Sequence, residues 1–238
     1  VADPPAGRLW TANNRVVGGT ARAVLGDGGW ALGARARQIR DALFALEAAR
    51  PADMLRIQLD DRALFLQPWC DLVLEVLTPA AVAADPRRQA ARHLVEAWGG
   101  RAAGESAGYR IVRRCRDTLL DDVFMALAAP CKRADERFQP RDLTQREGPV
   151  WRLLVARPPH LLDARYASWE AQILAAVDTT LERLAPVRPQ AAPGNPAPPP
   201  SRAALEDAAR RLAQRTWGER NSVRIQHPLS RIAPFLGR

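Results

Sequence analysis

Apolar residues recur at spacings of three and four along most of the chain, a period that predicts a protein built mainly of helices. Leu32, Ala36, Ile39, Leu43 and Leu46 form one such stripe, giving a helix over Trp30 to Ala49 that Pro51 ends. Asp53 then stands where an acid caps or charges the start of a following helix. Phe65, Trp69, Leu72, Val73 and Val76 repeat the pattern between Asp61 and Leu77. Arg87 to Trp98 is a further helix, which Gly99-Gly100 stops. The longest stripe, Ile111, Cys115, Leu119, Val123 and Leu127, predicts a helix from about Ala107 to Ala129, and Trp169, Ile173, Val177, Leu181 and Leu184 predict another over Trp169 to Leu184. Only Leu9 to Val17 reads as strand.

The pattern breaks from Pro186 to Pro200, where proline, alanine, glycine and asparagine take over. Proline removes amide donors and fixes the backbone torsion, so this stretch is an extended connector and a surface insertion rather than a docking site. Ser201 then caps a short helix from Ala203 to Arg215. No internal repeat is present. The expected organisation is a strand and loop over residues 1–25, a helical domain over 26–185, a proline-rich linker over 186–200, and a short helix with an extended C-terminal segment over 201–238.

Composition adds limits. With 238 residues, 47% of them hydrophobic, the chain can bury a substantial core. No apolar run approaches the roughly 20 residues a membrane span needs, and Val1 to Arg22 lacks the apolar centre of a signal peptide. A formal charge of +9 and a pI near 10.9 raise the question of nucleic acid. The distribution argues against it. Arginines are interleaved with Asp and Glu throughout, aromatics are 6%, and Lys132 is the one lysine, a usage that the codons of a high-GC genome produce.

Candidate chemistry is sparse outside one region. Cys70, Cys115 and Cys131 are too few and too irregular for a disulfide framework or a zinc site, and Cys70 sits among apolar neighbours as a small hydrophobe. Cys115 and Cys131 pair only if the helix of Cys115 folds back on the segment after Pro130. Gly104-Glu105-Ser106-Ala107-Gly108 matches the nucleophile-elbow pattern, but that chemistry needs a strand running into the turn. A helix end and a loop precede it here, so Ser106 is expected to cap the following helix. His93, His160 and His227 have no metal-ligand spacing.

The passage Leu9 to Gly18, with Asn13-Asn14 at its centre, and the passage Trp30 to Arg40, with Arg35, resemble the penicillin acylase family of N-terminal-nucleophile amidohydrolases. Asn13 and Arg35 stand 22 positions apart, the family's spacing. Asp53 to Asp60, Trp217-Gly218 and His227-Pro228-Leu229-Ser230 look like further landmarks of that family. Trp98-Gly99-Gly100 and Ser106 through Phe124 fit its layout more loosely. The resemblance implies a mainly α segment of an αββα catalytic subunit, with a short strand near its start. It also implies an internal piece of the catalytic β subunit, because Val1 carries no hydroxyl or thiol to act as the nucleophile.

In such a family the free α-amino group of the nucleophile is the base, with a pKa of about 7.7–8.0 in model peptides. Asn13 would donate to the oxyanion beside a backbone N–H from outside this chain, and Arg35 would orient Asn13 and the substrate region. A turn pair is the alternative for Asn13-Asn14, since Asn tolerates left-handed geometry; the match to Arg35 favours the catalytic reading, and Asn14 receives no role. The resemblance makes the substrate an acyl amide: a β-lactam side chain, an acyl-homoserine lactone or a lipopeptide. It makes the partners the α subunit and the N-terminal part of the β subunit, and the location the periplasm, with no nucleic acid and no membrane involved. No cofactor is expected. Calcium, held in some relatives by an acid between the asparagine and the arginine, is in doubt because Val24 falls at that place, with Asp27 nearby. This chain alone is expected to be inactive. The alternative function is a noncatalytic helical binding module derived from an acylase.

Overall fold

In the computed structural model, which describes residues 4, 6–26, 29–139, 143, 145–187 and 199–222, the apolar stripes bury one another as helices. Most of the proline-rich stretch and the His227 to Ser230 landmark lie outside the described residues. In order the helices are α1 (Gly19–Leu25), α2 (Ala34–Phe44), α3 (Pro51–Gln58), α4 (Gln67–Val76), α5 (Pro79–Ala84) and α6 (Pro86–Glu96). Then follow α7 (Ala107–Leu127), α8 (Ala129–Ala134), α9 (Glu147–Ala156), α10 (Trp169–Leu184), α11 (Arg202–Leu212) and α12 (Trp217–Arg220). No described helix is long and apolar enough to cross a membrane.

The core lies between α4, α6, α7 and α10, with α9 and α11 against its outer side. Val73, Ile111, Cys115, Leu119, Ile173, Val177 and Leu181 are fully buried, so the period-four stripes of α7 and α10 face each other as the sequence predicts. Each such aliphatic side chain contributes about 1.5–3 kcal/mol on burial. α7 has 21 residues and spans roughly 31 Å, long enough to touch α4, α6, α9 and α10 in turn. Its first turn presses on the end of α6 at Gly108, where a Cβ would stand 2.2 Å from the Leu94 carbonyl oxygen.

Ion pairs fix α6 on α10. Asp85 caps α6 by accepting the Arg87 N–H at 2.8 Å, and its carboxylate also takes the buried Arg87 guanidinium. The same guanidinium reaches Glu182 of α10 at 2.6 Å, and Arg88 binds Asp178 through two bonds of 2.8 and 2.7 Å. Removing one member of such a partly buried group would leave the other charge without its partner.

Several expected elements are altered for identifiable reasons. In place of a strand over Leu9 to Val17 there is one isolated parallel bridge, Asn14 to Ala31, and no sheet forms among the described residues. The helix expected from Trp30 starts only at Ala34, after Ala31 has bridged to Asn14 in extended geometry and its N–H has bonded the Asn13 carbonyl at 2.7 Å. The helix expected from Asp61 begins with a 3-10 turn at Leu64–Leu66, since the preceding backbone bonds across to residues 100–102. Helices α1, α5, α8, α9 and α12 are too short, or too punctuated by Gly and Pro, to show a full apolar period. Cys115 and Cys131 do not pair; all three cysteines are free thiols.

Candidate functional site

The N-terminal segment lies along α2. Trp10 meets Phe44 edge-on with ring centroids 5.6 Å apart, and Arg8 stacks over the same ring at 5.2 Å while donating to the Leu46 carbonyl. Between these contacts and the Ala31 bridge the chain turns at Asn13, whose φ of 61° lies in the left-handed region that Asn tolerates. Asn14 brackets that turn: its Oδ1 accepts the Ala12 N–H at 3.0 Å and its Nδ2 donates to the Arg15 carbonyl at 2.8 Å. Asn14 is thus a positioning residue that sequence reasoning left without a role, although the Asn-Asn pair itself was the available signal.

Arg35 stands in the first turn of α2, and the fold brings it to Asn13. Its Nη2 donates to Asn13 Oδ1 at 3.1 Å and to the Ala12 carbonyl at 3.2 Å. A guanidinium has only donors, so the Asn13 atom facing it must be the carbonyl oxygen. The Asn13 amide nitrogen is therefore turned away from Arg35, with two N–H groups to offer. A cation at a helix N-terminus is opposed by the helix dipole, and both residues are exposed, so this contact adds little to stability.

Arg35 also lines a cleft of about 480 Å³ with Gln38, Asp60, Tyr109 and Arg113. Asp60 organises one wall, taking two bonds from Arg62 at 2.8 and 2.7 Å and one from Gln38 at 2.7 Å. The Arg62 guanidinium holds the Asp60 carboxyl well below the usual carboxylate range, against the opposing effect of burial. On another wall Tyr109 packs between Trp98 and Trp217, with centroids at 5.9 and 5.1 Å, and Arg113 lies 4.9 Å over the Trp217 ring. Tyr109 and Arg113 were not singled out from the sequence, and Asp60 was noted only as the end of the Asp53 to Asp60 landmark, because only the fold assembles the three beside Arg35.

The nucleophile-elbow letters have a different origin. Ser106 Oγ accepts the Tyr109 N–H at 3.1 Å as the cap of α7, and no strand leads into it. Gly104 accepts the Gly218 N–H at 2.6 Å and Ser106 accepts that of Trp217 at 3.1 Å, so α12 is tied to this loop. His93 is exposed on α6, and His160 is exposed in the turn Pro159–Leu161. Burial pushes the Cys70 thiol up to about 11 and the Cys115 thiol up to about 12, which leaves both protonated and inert near neutrality. Val24 is exposed on α1, and Asp27 is outside the described residues. Among the described residues no group of three or more His, Cys, Asp or Glu is arranged to hold a metal ion.

Comparison with known proteins gives one positive result: the model of the family described as Penicillin amidase matches residues 1–238. No curated protein and no solved structure matches the chain.

Proposed function

The chain belongs to the penicillin amidase family of amide hydrolases, and from that premise we propose that it serves acyl-amide hydrolysis by supplying an oxyanion donor. The observation that carries the proposal is the contact between Arg35 and Asn13, 22 positions apart and 3.1 Å across. Arg35 holds the carbonyl end of the Asn13 amide, and the N–H end donates to the oxygen that becomes negative as the tetrahedral intermediate forms. Because that charge exists only near the transition state, the bond accelerates acylation rather than tightening substrate binding. The nucleophile, its α-amino base and the second oxyanion donor come from the remainder of the acylase precursor. The substrate is an acyl amide such as a β-lactam side chain, an acyl-homoserine lactone or a lipopeptide, and the enzyme works in the periplasm without a cofactor.

Two substitutions in the full-length, processed protein test this reading. Asn13→Gly keeps the left-handed backbone open while deleting the amide, so any loss of rate comes from the donor and not from strain. Removing one oxyanion donor costs roughly 3 to 4 kcal/mol, so acylation should slow by about two to three orders of magnitude with the melting temperature nearly unchanged. Asn13→Ala should show the same kinetic loss plus about 1–2 kcal/mol of backbone strain. Near-normal turnover of an acyl-amide reporter by Asn13→Gly would remove Asn13 from the mechanism.

A further inference from the structure

On a different face of α7 from Tyr109 and Arg113, which line the Arg35 cleft, residues of α7, α10 and α12 line a second cleft, of about 320 Å³. Its walls carry four guanidiniums, Arg110, Arg114, Arg183 and Arg220, against two carboxylates, Asp117 and Asp121. Those carboxylates are engaged elsewhere. Asp117 lies 2.8 Å from Arg116 and reaches Arg114 only at 3.9 Å, while Asp121 lies 2.6 Å from Arg146. Arg110 binds Glu219, which Arg215 shares at 2.7 Å, and the buried Arg110 Nε has no acceptor among the described residues. Among the described residues the Arg183 guanidinium donates to the Thr118 hydroxyl alone, at 3.4 Å. Among the described residues no carboxylate lies at ion-pair distance from Arg183 or Arg220.

The cluster is therefore under-neutralised in a partly desolvated place. Burial, and then repulsion from Arg220, hold the Arg114 guanidinium below the usual arginine range. The buried Thr118 and Thr180 hydroxyls are bonded to one another at 3.2 Å, and Thr180 donates to the Ala176 carbonyl at 2.9 Å, so they leave the anion to the guanidiniums. Guanidiniums lining one small cleft match a tetrahedral oxyanion better than a single carboxylate, because several N–H forks can each take a separate oxygen.

We propose that this cleft binds a small, multiply charged oxyanion, phosphate or a phosphate monoester, through Arg114, Arg183 and Arg220. The site is separate from the amide-hydrolysis reading and does not depend on it.

The test uses inorganic phosphate as the probe, at constant ionic strength with chloride as the balancing salt. Phosphate at 10 mM should raise the melting temperature by roughly 3 °C. The variants Arg183→Gln and Arg220→Gln should each weaken calorimetric phosphate binding by about tenfold, whereas Arg152→Gln, on the exposed face of α9, should leave it unchanged. A second signature separates a ligand site from ordinary packing: in chloride alone, Arg220→Gln should raise the melting temperature by about 1–2 °C, because it relieves the repulsion between Arg220 and Arg114. A fall in that measurement would mean that the guanidinium is structural and would overturn the proposal. So would a phosphate response no larger than that of chloride, or binding to phosphatidylglycerol vesicles without any response to the free anion.

Discussion

At the scale of single residues, donor and acceptor chemistry decides orientation. Arg35 cannot accept a hydrogen bond, so its contact with Asn13 sets which end of the carboxamide is presented. The same reasoning explains why a five-residue motif with the letters of a nucleophile elbow is structural: Gly104 accepts Gly218 at close range, Ser106 caps α7, and Gly108 admits Leu94. Thiols divide just as sharply. Cys70 and Cys115 are buried with raised pKa values, and Cys131 is exposed on α8. Iodoacetamide at pH 8 should therefore alkylate one cysteine in the native protein, Cys131, and three after denaturation, as counted by intact mass. Modification of Cys115 in the native state would show that α7 and α10 open readily. The irregular cysteine spacing was enough to exclude a framework, but burial, which sets reactivity, follows from which helix faces meet.

At the scale of elements, close approach and capping outweigh propensity. Gly108 and Gly148 both lie in helices, where alanine is intrinsically better by about 0.5–1 kcal/mol. Their surroundings differ. A Cβ on Gly108 meets backbone at 2.2 Å, whereas one on Gly148 meets nothing within 4 Å. Gly108→Ala should thus destabilise by about 3 kcal/mol as α6 and α7 are forced apart, while Gly148→Ala should be neutral or stabilising. Chemical denaturation of the two variants decides between packing and propensity. The stripe of α10 marked both of its ends, Trp169 and Leu184, because Ser168 caps it and its apolar face is long. The start of α2 was not legible in the same way, since Ala31 is held extended by a bridge to Asn14, which lies 17 residues earlier.

At the scale of the whole molecule, apolar burial is uneven. The core begins at Leu66, and among the described residues the segment before it contributes one buried residue, Ala36. Large apolar side chains stay exposed there, among them Leu9 at 62%, Val24 at 86% and Leu59 at 70%. Helices α1 and α3 have no buried residue at all, so their backbone bonds rest on little tertiary support. Hydrogen exchange of this chain should show protection in α7 and α10 at least about 100-fold greater than in α1 and α3. Equal protection would mean that the N-terminal third is held by more than the contacts described.

Asn13 and Arg35 were singled out by the family resemblance and are brought together by the fold, whereas the amino-acid sequence by itself determined the mainly helical class, the faces of α4, α7 and α10 that form the core, and the cap at Ser106. Those features are local or periodic, and a helix carries its own hydrogen bonds and its own apolar stripe. Only the tertiary structure decided that Leu9 to Val17 makes a single bridge, that Asn14 holds the turn, and that Arg114, Arg183 and Arg220 converge without enough acid. A strand needs a partner and a charge cluster needs neighbours, and in both cases those lie well beyond the reach of one turn or one helical period, where no local pattern records them.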